Sequence, residues 1–404
     1  MTRRVVVTGI GLVSPLGNTP DELFAAVMAG RSATEYWPSG EIDRPAVVAR
    51  SSFDLDRWFT RLQLPGVDRV SQLAVAAAES ARLDAGLSRL DDQTGIYVGS
   101  GMGGATAIDK AYLHLHRNGK VPPLTIPAFM CNAAAAHVAM RSQLHGPVFT
   151  YSIACASSAV AISEGANAVA RGAVESALVG GSEALLVPGV VHAWQALQTL
   201  ATPDPEQAGT ASRPFATDRT GLVLGEGAAF LLLEPRDVAE ARGARIYAEI
   251  AGSGVSCDAM HLTKPDAAGQ VRAIQAALRD AGLSSSDIGY CNAHGTATLA
   301  GDVVESEALN RVWGDRIGDL PVSSTKALHG HLLGAAGALE AAISVLAIHR
   351  RSLPPSAHVS SQDPACAIRL VTQADSPAPD LHAAMSNSFA FGGTNAVLIF
   401  RRAD

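Results

Sequence analysis

One pattern of strand, glycine turn and small-residue helix runs twice along this chain. Arg4 to Gly11 is a β-rich run entering a glycine turn, and Arg245 to Gly254 repeats it. Gly95 to Gly101 is matched by Gly289 to Gly295. Pro147 to Cys155, with a helix of small residues after it, is matched by Pro321 to His331 and a second such helix. The strand end at Gly180-Gly181 is matched by Ala384 to Ser388, which runs into Phe391-Gly392-Gly393. The copies meet near residues 240 to 246, which predicts an N-terminal half over 1–245, with longer insertions, and a C-terminal half over 246–404. Strands alternating with helices predict an α/β protein whose sheet is flanked by helices. In open α/β units, reactive groups gather beyond the carboxyl ends of the strands. If the halves pack about a pseudo-twofold axis, Cys155 of the first can meet His294 and His331 of the second.

Between these landmarks the elements read as follows. Asn18 to Gly30 is a helix with Asn18 or Thr19 as its N-cap, residues 31 to 65 are irregular, and Asp68 to Ala85 is an Ala-rich amphipathic helix. Leu124 to His145 is helical, and Asp237 to Arg242 is a short helix. Gly99 to Gly104 matches G-x-G-x-x-G, but no acidic residue ends a second strand about twenty residues on, so close backbone packing is the reading rather than dinucleotide binding. Leu332 to Ile348 is apolar, yet it spans 17 residues and includes Glu340, Gly334, Gly337 and Ser344. That is short for a membrane span and reads as a buried helix. Arg3-Arg4 before Val5-Val6-Val7 reads as the start of a strand, since Thr8, Gly9 and Gly11 break the apolar run that an export signal needs.

Composition narrows the function. With 48% hydrophobic and 17% charged residues over 404 positions, the chain can bury a large core. A net charge of −7 argues against a nucleic-acid footprint. The five cysteines are scattered, odd in number and without a CxxC pair, which points to a reducing cytoplasm.

Cys155 has the setting of a nucleophile. Pro147 to Ile153 reads as a strand, Ser158 to Arg171 as a helix, and the turn between them holds only small side chains. A thiol there meets the positive end of a helix dipole and unpaired N–H groups, which favour thiolate. Small neighbours leave room for a carbonyl and for N–H donors to an oxyanion. The alternative is a cysteine that serves as a small buried hydrophobe.

Five ordered motifs then stand together: Arg4 to Gly11, Ser152 to Ser158, Asn292 to Thr298, Lys326 to Gly337 and Asn387 to Asn395. Together they resemble the β-ketoacyl-[acyl carrier protein] synthases of the elongating type, in the thiolase-like superfamily, over essentially the whole chain. The resemblance implies a thiolase-like fold of duplicated halves in an α-β-α-β-α arrangement. It implies a decarboxylative Claisen condensation and no cofactor. Cys155 would take an acyl group from a carrier protein, and the enolate from malonyl-carrier protein would attack it. The product is a 3-oxoacyl thioester, as in fatty-acid elongation. His294 and His331 would stabilise the enolate oxygen, and Lys326 would order the site. The backbone N–H groups of Cys155 and Phe391 would hold the other oxyanion, with Phe391 also the gate of a glycine loop and Phe389 a substrate-binding residue beside it. Asp302, Glu305 and Glu340 would support these groups, and Thr296 and Thr298 would bind the pantetheine amides.

Some positions depart from the family pattern. His329 stands where a small or hydroxyl residue is usual; with Cys291 nearby it loosely resembles zinc-ligand spacing, but it is read as a hydrogen-bonding neighbour and no metal is expected. Ala390 replaces a common glycine, which would stiffen the loop. Ile108 at a pocket wall and Thr125 at a floor lent by the partner subunit imply a differently shaped acyl pocket. Acyl carrier protein is the expected partner, with Arg57, Arg61 and Arg69 as candidate docking residues. A homodimer is expected, with a non-identical partner subunit as the alternative. A polyketide or polyene ketosynthase keeps the same chemistry in another pathway. A thiolase or a non-condensing partner subunit fits less well, since two histidines and the nucleophile are all present.

Overall fold

The computed structural model describes residues 3–40 and 42–403. Its main sheet has eleven strands: β1 (Val5–Val13), β2 (Gly95–Gly99), β3 (Val148–Tyr151), β4 (Ala177–Glu183), β5 (Gly227–Pro235), β6 (Ala248–Cys257), β7 (Tyr290–Asn292), β8 (Pro321–Ser323), β9 (Arg369–Leu370), β10 (Ala383–Phe389) and β11 (Thr394–Arg401). Their order across the sheet is β9-β8-β7-β10-β11-β6-β1-β5-β4-β2-β3. From the centre outward, β1-β5-β4-β2-β3 has the same plan as β6-β11-β10-β7-β8. In each arm the two inner pairings are antiparallel and the two outer ones parallel. The arms join where Val5 to Val7 pair with Ala248 to Ile250.

Two helices, Ser157–Ala170 and Ala336–Arg350, each touch strands of both arms and form the middle layer. Helix Arg69–Asp84 covers one arm and helix Ala267–Ala281 the other, which gives five layers, α-β-α-β-α. The middle helices are built mostly of small and apolar residues because nearly every face of them is covered, and only Asn167, His349 and Arg350 are exposed. Leu333–Arg350 is long and apolar enough to cross a membrane by composition, but 89% of it is buried inside the protein. Small residues set the layer spacing. A Cβ on Gly99 would lie 2.2 Å from the backbone nitrogen of Ser158, and one on Gly104 would lie 2.1 Å from the carbonyl oxygen of Ala128. Two glycines of the G-x-G-x-x-G run therefore let backbones approach closely.

Helix starts follow local chemistry. Thr19 caps helix Pro20–Met28 in a capping box with Glu22, and Asp68 caps Arg69–Asp84. Other stretches differ from the sequence reading. Residues 31 to 65 contain two short strands, Glu35–Trp37 and Ala46–Ala49, which pair with each other, and the second also pairs with Leu224–Gly225 to make a small second sheet. The region from 124 to 145 breaks into Thr125–Phe129 and Ala133–Ser142. Helices Ala105–Asn118, Pro188–Ala196 and Leu299–Trp313 were not anticipated. Only Ala105 and Ala111 of the first of these are buried, so it lacks the apolar stripe that marks a packed helix.

Candidate active site

Cys155 lies in a tight turn, Ala154–Ala156, between β3 and the middle helix Ser157–Ala170. Ala154 takes a φ of 44°, and Leu333, which opens the matching turn of the other half, takes 48°. These left-handed conformations are costly for residues with a Cβ. They swing the chain sharply from strand to helix at both places.

The second half brings up its histidines from two strand ends. His294 follows β7, and His331 follows β8 and the short helix Lys326–His329. The backbone of His331 is held on both sides: its N–H donates to the Val223 carbonyl at 2.7 Å, and its carbonyl accepts from the Gly225 N–H at 2.9 Å. Cys155 Sγ and one ring nitrogen from each histidine lie within 4.8 Å of one another, all buried. Nε2 of His331 is 3.0 Å from the sulfur. Nδ1 of His331 accepts the Leu333 N–H at 3.3 Å, so the neutral ring keeps its proton on Nε2 and donates toward Cys155. The His294 and His331 rings meet edge-on with centroids 5.3 Å apart. The buried Nδ1 of His294 has no hydrogen-bond partner among the described residues.

Electrostatics keep both imidazoles neutral. Burial drives His294 and His331 well below the usual histidine range, and the positive charge of Lys326 adds to this. Burial pushes the Cys155 thiol up to about 12, while Lys326 and the Phe391 N–H pull it down. The expectation that the helix start favours thiolate is therefore outweighed by desolvation in the free protein.

The supporting acids are all buried. Lys326 Nζ lies 2.5 Å from Glu340 Oε1. Glu305 accepts the backbone N–H groups of His294 at 2.8 Å and Gly295 at 2.7 Å, and Nδ2 of Asn387 at 3.0 Å. Asp302 accepts from the N–H of Phe215 at 2.7 Å and of Ala297 at 3.1 Å. Burial raises the Asp302 and Glu340 carboxyls to about 7.

A cavity of about 310 Å³ opens onto this cluster. Cys155, His294, His331, Thr296, Thr298, Phe389 and Phe391 all line it. Thr298 also caps helix Leu299–Trp313 through Gly301 and hydrogen-bonds Thr296 at 3.0 Å, so capping and cavity lining coexist. Phe391 stacks on Trp194 with centroids 5.9 Å apart.

Ile108 and Thr125 do not line this cavity; they sit on helices Ala105–Asn118 and Thr125–Phe129. Ala105, a turn before Ile108, is the residue that clusters with Cys155. Arg69 is also not a free docking cation, because it ion-pairs with buried Glu226 and donates to the Ser51 carbonyl. Arg57 lies over the Trp58 ring at 4.7 Å.

Sequence reasoning missed Glu183, which is fully buried at the end of β4. It accepts N–H bonds from Gly101 at 2.6 Å in one half and from Gly334 at 3.0 Å in the other. Its place after Gly180-Gly181-Ser182, at a carboxyl strand end, was the available signal.

Comparisons with known proteins bear on the chain as a whole. Residues 2–239 match the family model for the β-ketoacyl synthase N-terminal domain, and residues 247–360 match the C-terminal domain model. The chain is 39% identical over 418 residues to 3-oxoacyl-[acyl-carrier-protein] synthase 2 of Rhizobium meliloti (strain 1021), covering 99% of each. It is 42% identical over 409 residues to nodulation protein E of the same strain, covering 100% of each. Among solved structures, the ishigamide ketosynthase/chain length factor superposes with a TM-score of 0.91 at 33% identity, covering 100% of both chains. Two consecutive family models over most of the length, and full-length relatives, make this chain a member of the β-ketoacyl synthase family.

Proposed function

We propose that Cys155 carries the acyl group, and that His294 and His331 share the malonyl thioester oxygen, in the decarboxylative condensation of this family. The convergence of one sulfur and two neutral imidazoles on a single cavity supports the reading. In the first stage the sulfur attacks an acyl-carrier thioester. The carrier thiol leaves with the proton that the cysteine gives up. Nε2–H of His331, the Phe391 N–H and the charge on Lys326 stabilise the sulfur as it sheds that proton. In the second stage malonyl-carrier protein loses carbon dioxide, and the enolate oxygen accepts N–H bonds from both histidines. The enolate carbon attacks acyl-Cys155 and expels the sulfur, which regains a proton from water. The product is a 3-oxoacyl-carrier thioester, as in fatty-acid elongation. Splitting the condensation into two steps is the logic of covalent catalysis.

The two halves, 1–245 and 246–404, each supply part of this site. Lys326, Glu340, Glu305 and Asp302 hold it in place, and Thr296 and Thr298 face the pantetheine arm. Ile108 and Thr125 are proposed to shape the acyl pocket where a second copy packs. The exposed apolar side chains Tyr112, Ile126, Met140 and Phe149, together with the free edge of β3, support a dimer. The free state of all five cysteines suits the reducing cytoplasm. A second reading is a polyketide or polyene ketosynthase with a non-identical partner subunit; likeness to the ishigamide ketosynthase/chain length factor favours it.

Intact-mass analysis with acyl- and malonyl-carrier proteins tests the main reading. An acyl adduct that disappears in Cys155→Ala, with no condensation product in His294→Ala, supports it. Full activity in Cys155→Ala overturns it. Products longer than one condensation, or activity only with a second subunit, favour the second reading.

A further inference from the structure

His329 has no part in the chemistry above, yet it is fully buried and both of its ring nitrogens are engaged. Nδ1 lies 2.7 Å from the carbonyl oxygen of Gly330, and Nε2 lies 3.0 Å from Oγ1 of Thr325. A carbonyl can only accept, so the ring proton is on Nδ1, and Nε2 accepts the Thr325 hydroxyl. Oγ1 of Thr325 in turn accepts Nδ2 of Asn292 at 3.2 Å, and its own proton goes to Nε2 of His329 at 3.0 Å rather than to the more distant Oδ1 of Asn292 at 3.4 Å. The hydrogen bonds thus run in one direction, from Asn292 through Thr325 and His329 to Gly330. Asn292 ends β7, two residues before His294, and Gly330 directly precedes His331. The side chains of Asn292, Thr325 and His329 are all fully buried.

We propose that His329 is a positioning residue: it closes a hydrogen-bond chain that fixes the backbone before His294 relative to the backbone before His331. This rests on the reading that the two histidines donate to one oxygen. Two donors can share an oxygen only if both rings are held within a fraction of an ångström of the required places, and errors of about 1 Å cost rate. Cys155 comes from the other half of the molecule and meets this network only through Nε2 of His331, so a misplaced ring costs acyl transfer one contact, whereas decarboxylation needs both rings in place. Burial and Lys326 hold His329 down to about 3, so it stays neutral and its bonding direction does not change with pH in the working range.

The two stages are to be measured separately in the full-length enzyme. Acyl transfer is followed as the rate of adduct formation on Cys155. Decarboxylation is followed as carbon dioxide release from malonyl-carrier protein. The variants are His329→Ala, Thr325→Val, which keeps shape but cuts the same chain, and the double variant. Each single variant is expected to slow decarboxylation about 10- to 100-fold, up to the loss that a misplacement of about 1 Å brings. Acyl transfer should stay within a few-fold, and the double variant should be no worse than either single. Equal loss in both stages, additive losses, or unchanged decarboxylation overturns the proposal. If His329→Ala fails to fold, Thr325→Val decides alone. His294→Ala is the control: if it decarboxylates normally, the shared-oxygen reading is at fault and not the positioning role.

Discussion

The backbone N–H of Leu333 donates to Nδ1 of His331 across 3.3 Å, and this bond decides that the proton sits on Nε2, facing Cys155. His331 is therefore a donor in the resting enzyme and not a base waiting for the thiol proton. His331→Ala should slow malonyl decarboxylation by about 10²- to 10³-fold, the cost of one oxyanion donor. Acylation of Cys155 should suffer less. Nitrogen-15 spectra of the ring should show the Nε2–H form, and a dominant Nδ1–H form would contradict the assignment.

The buried thiol of Cys155, raised to about 12, predicts slow chemistry in the absence of substrate. Alkylation by iodoacetamide at pH 8 should be slower at Cys155 than at exposed Cys131 and Cys257, and should rise toward pH 12. Peptide mapping of alkylated protein measures this. Faster labelling of Cys155 at neutral pH would mean that the sulfur is already ionised.

Lys326 and Glu340 form an ion pair with side chains 1% and 0% exposed. Removing one partner strands the other. Lys326→Met is expected to lower stability by about 3–5 kcal/mol. Lys326→Met with Glu340→Gln should recover much of that in chemical denaturation while condensation stays lost. A double variant as unstable as the single would show that the pair contributes more than mutual neutralisation.

Glu183 has its carboxyl raised to about 7 by burial, against N–H bonds from Gly101, Met102 and Gly334. The folded protein then holds a proton that the unfolded chain releases near 4.5. Its contribution is greatest below about 4.5 and is lost as pH rises toward 7, at about 1.4 kcal/mol per pKa unit. The stability of wild type relative to Glu183→Gln should therefore fall across that window. A flat difference in denaturant midpoints would refute the shift.

Much of this site was legible because its parts sit at strand ends beside glycines and small residues. Cys155, His294 and His331 each follow a short β-rich run, and the duplicated pattern placed those runs in matching positions of two arms. What was hidden depends on pairing across distance. Glu183 meets Gly334 across 151 residues, and Asn292 meets Thr325 across 33. Neither pair has a local spacing to betray it. Trp194, which stacks on Phe391, lies on a helix with only Val191 buried, so its apolar pattern was weak. The thiolate expectation failed for a related reason: helix dipole is visible in a turn, but desolvation depends on everything packed around it.

Ala154, held at a φ of 44° just before the nucleophile, sets stability against function. Glycine adopts that angle without a steric cost, so Ala154→Gly relieves local strain while freeing the turn in the unfolded chain and in the native ensemble alike. The expected variant melts no lower than wild type yet acylates more slowly, because the sulfur samples directions that miss the incoming carbonyl. Selection for heat tolerance alone would then drift away from the residue that aims the catalyst.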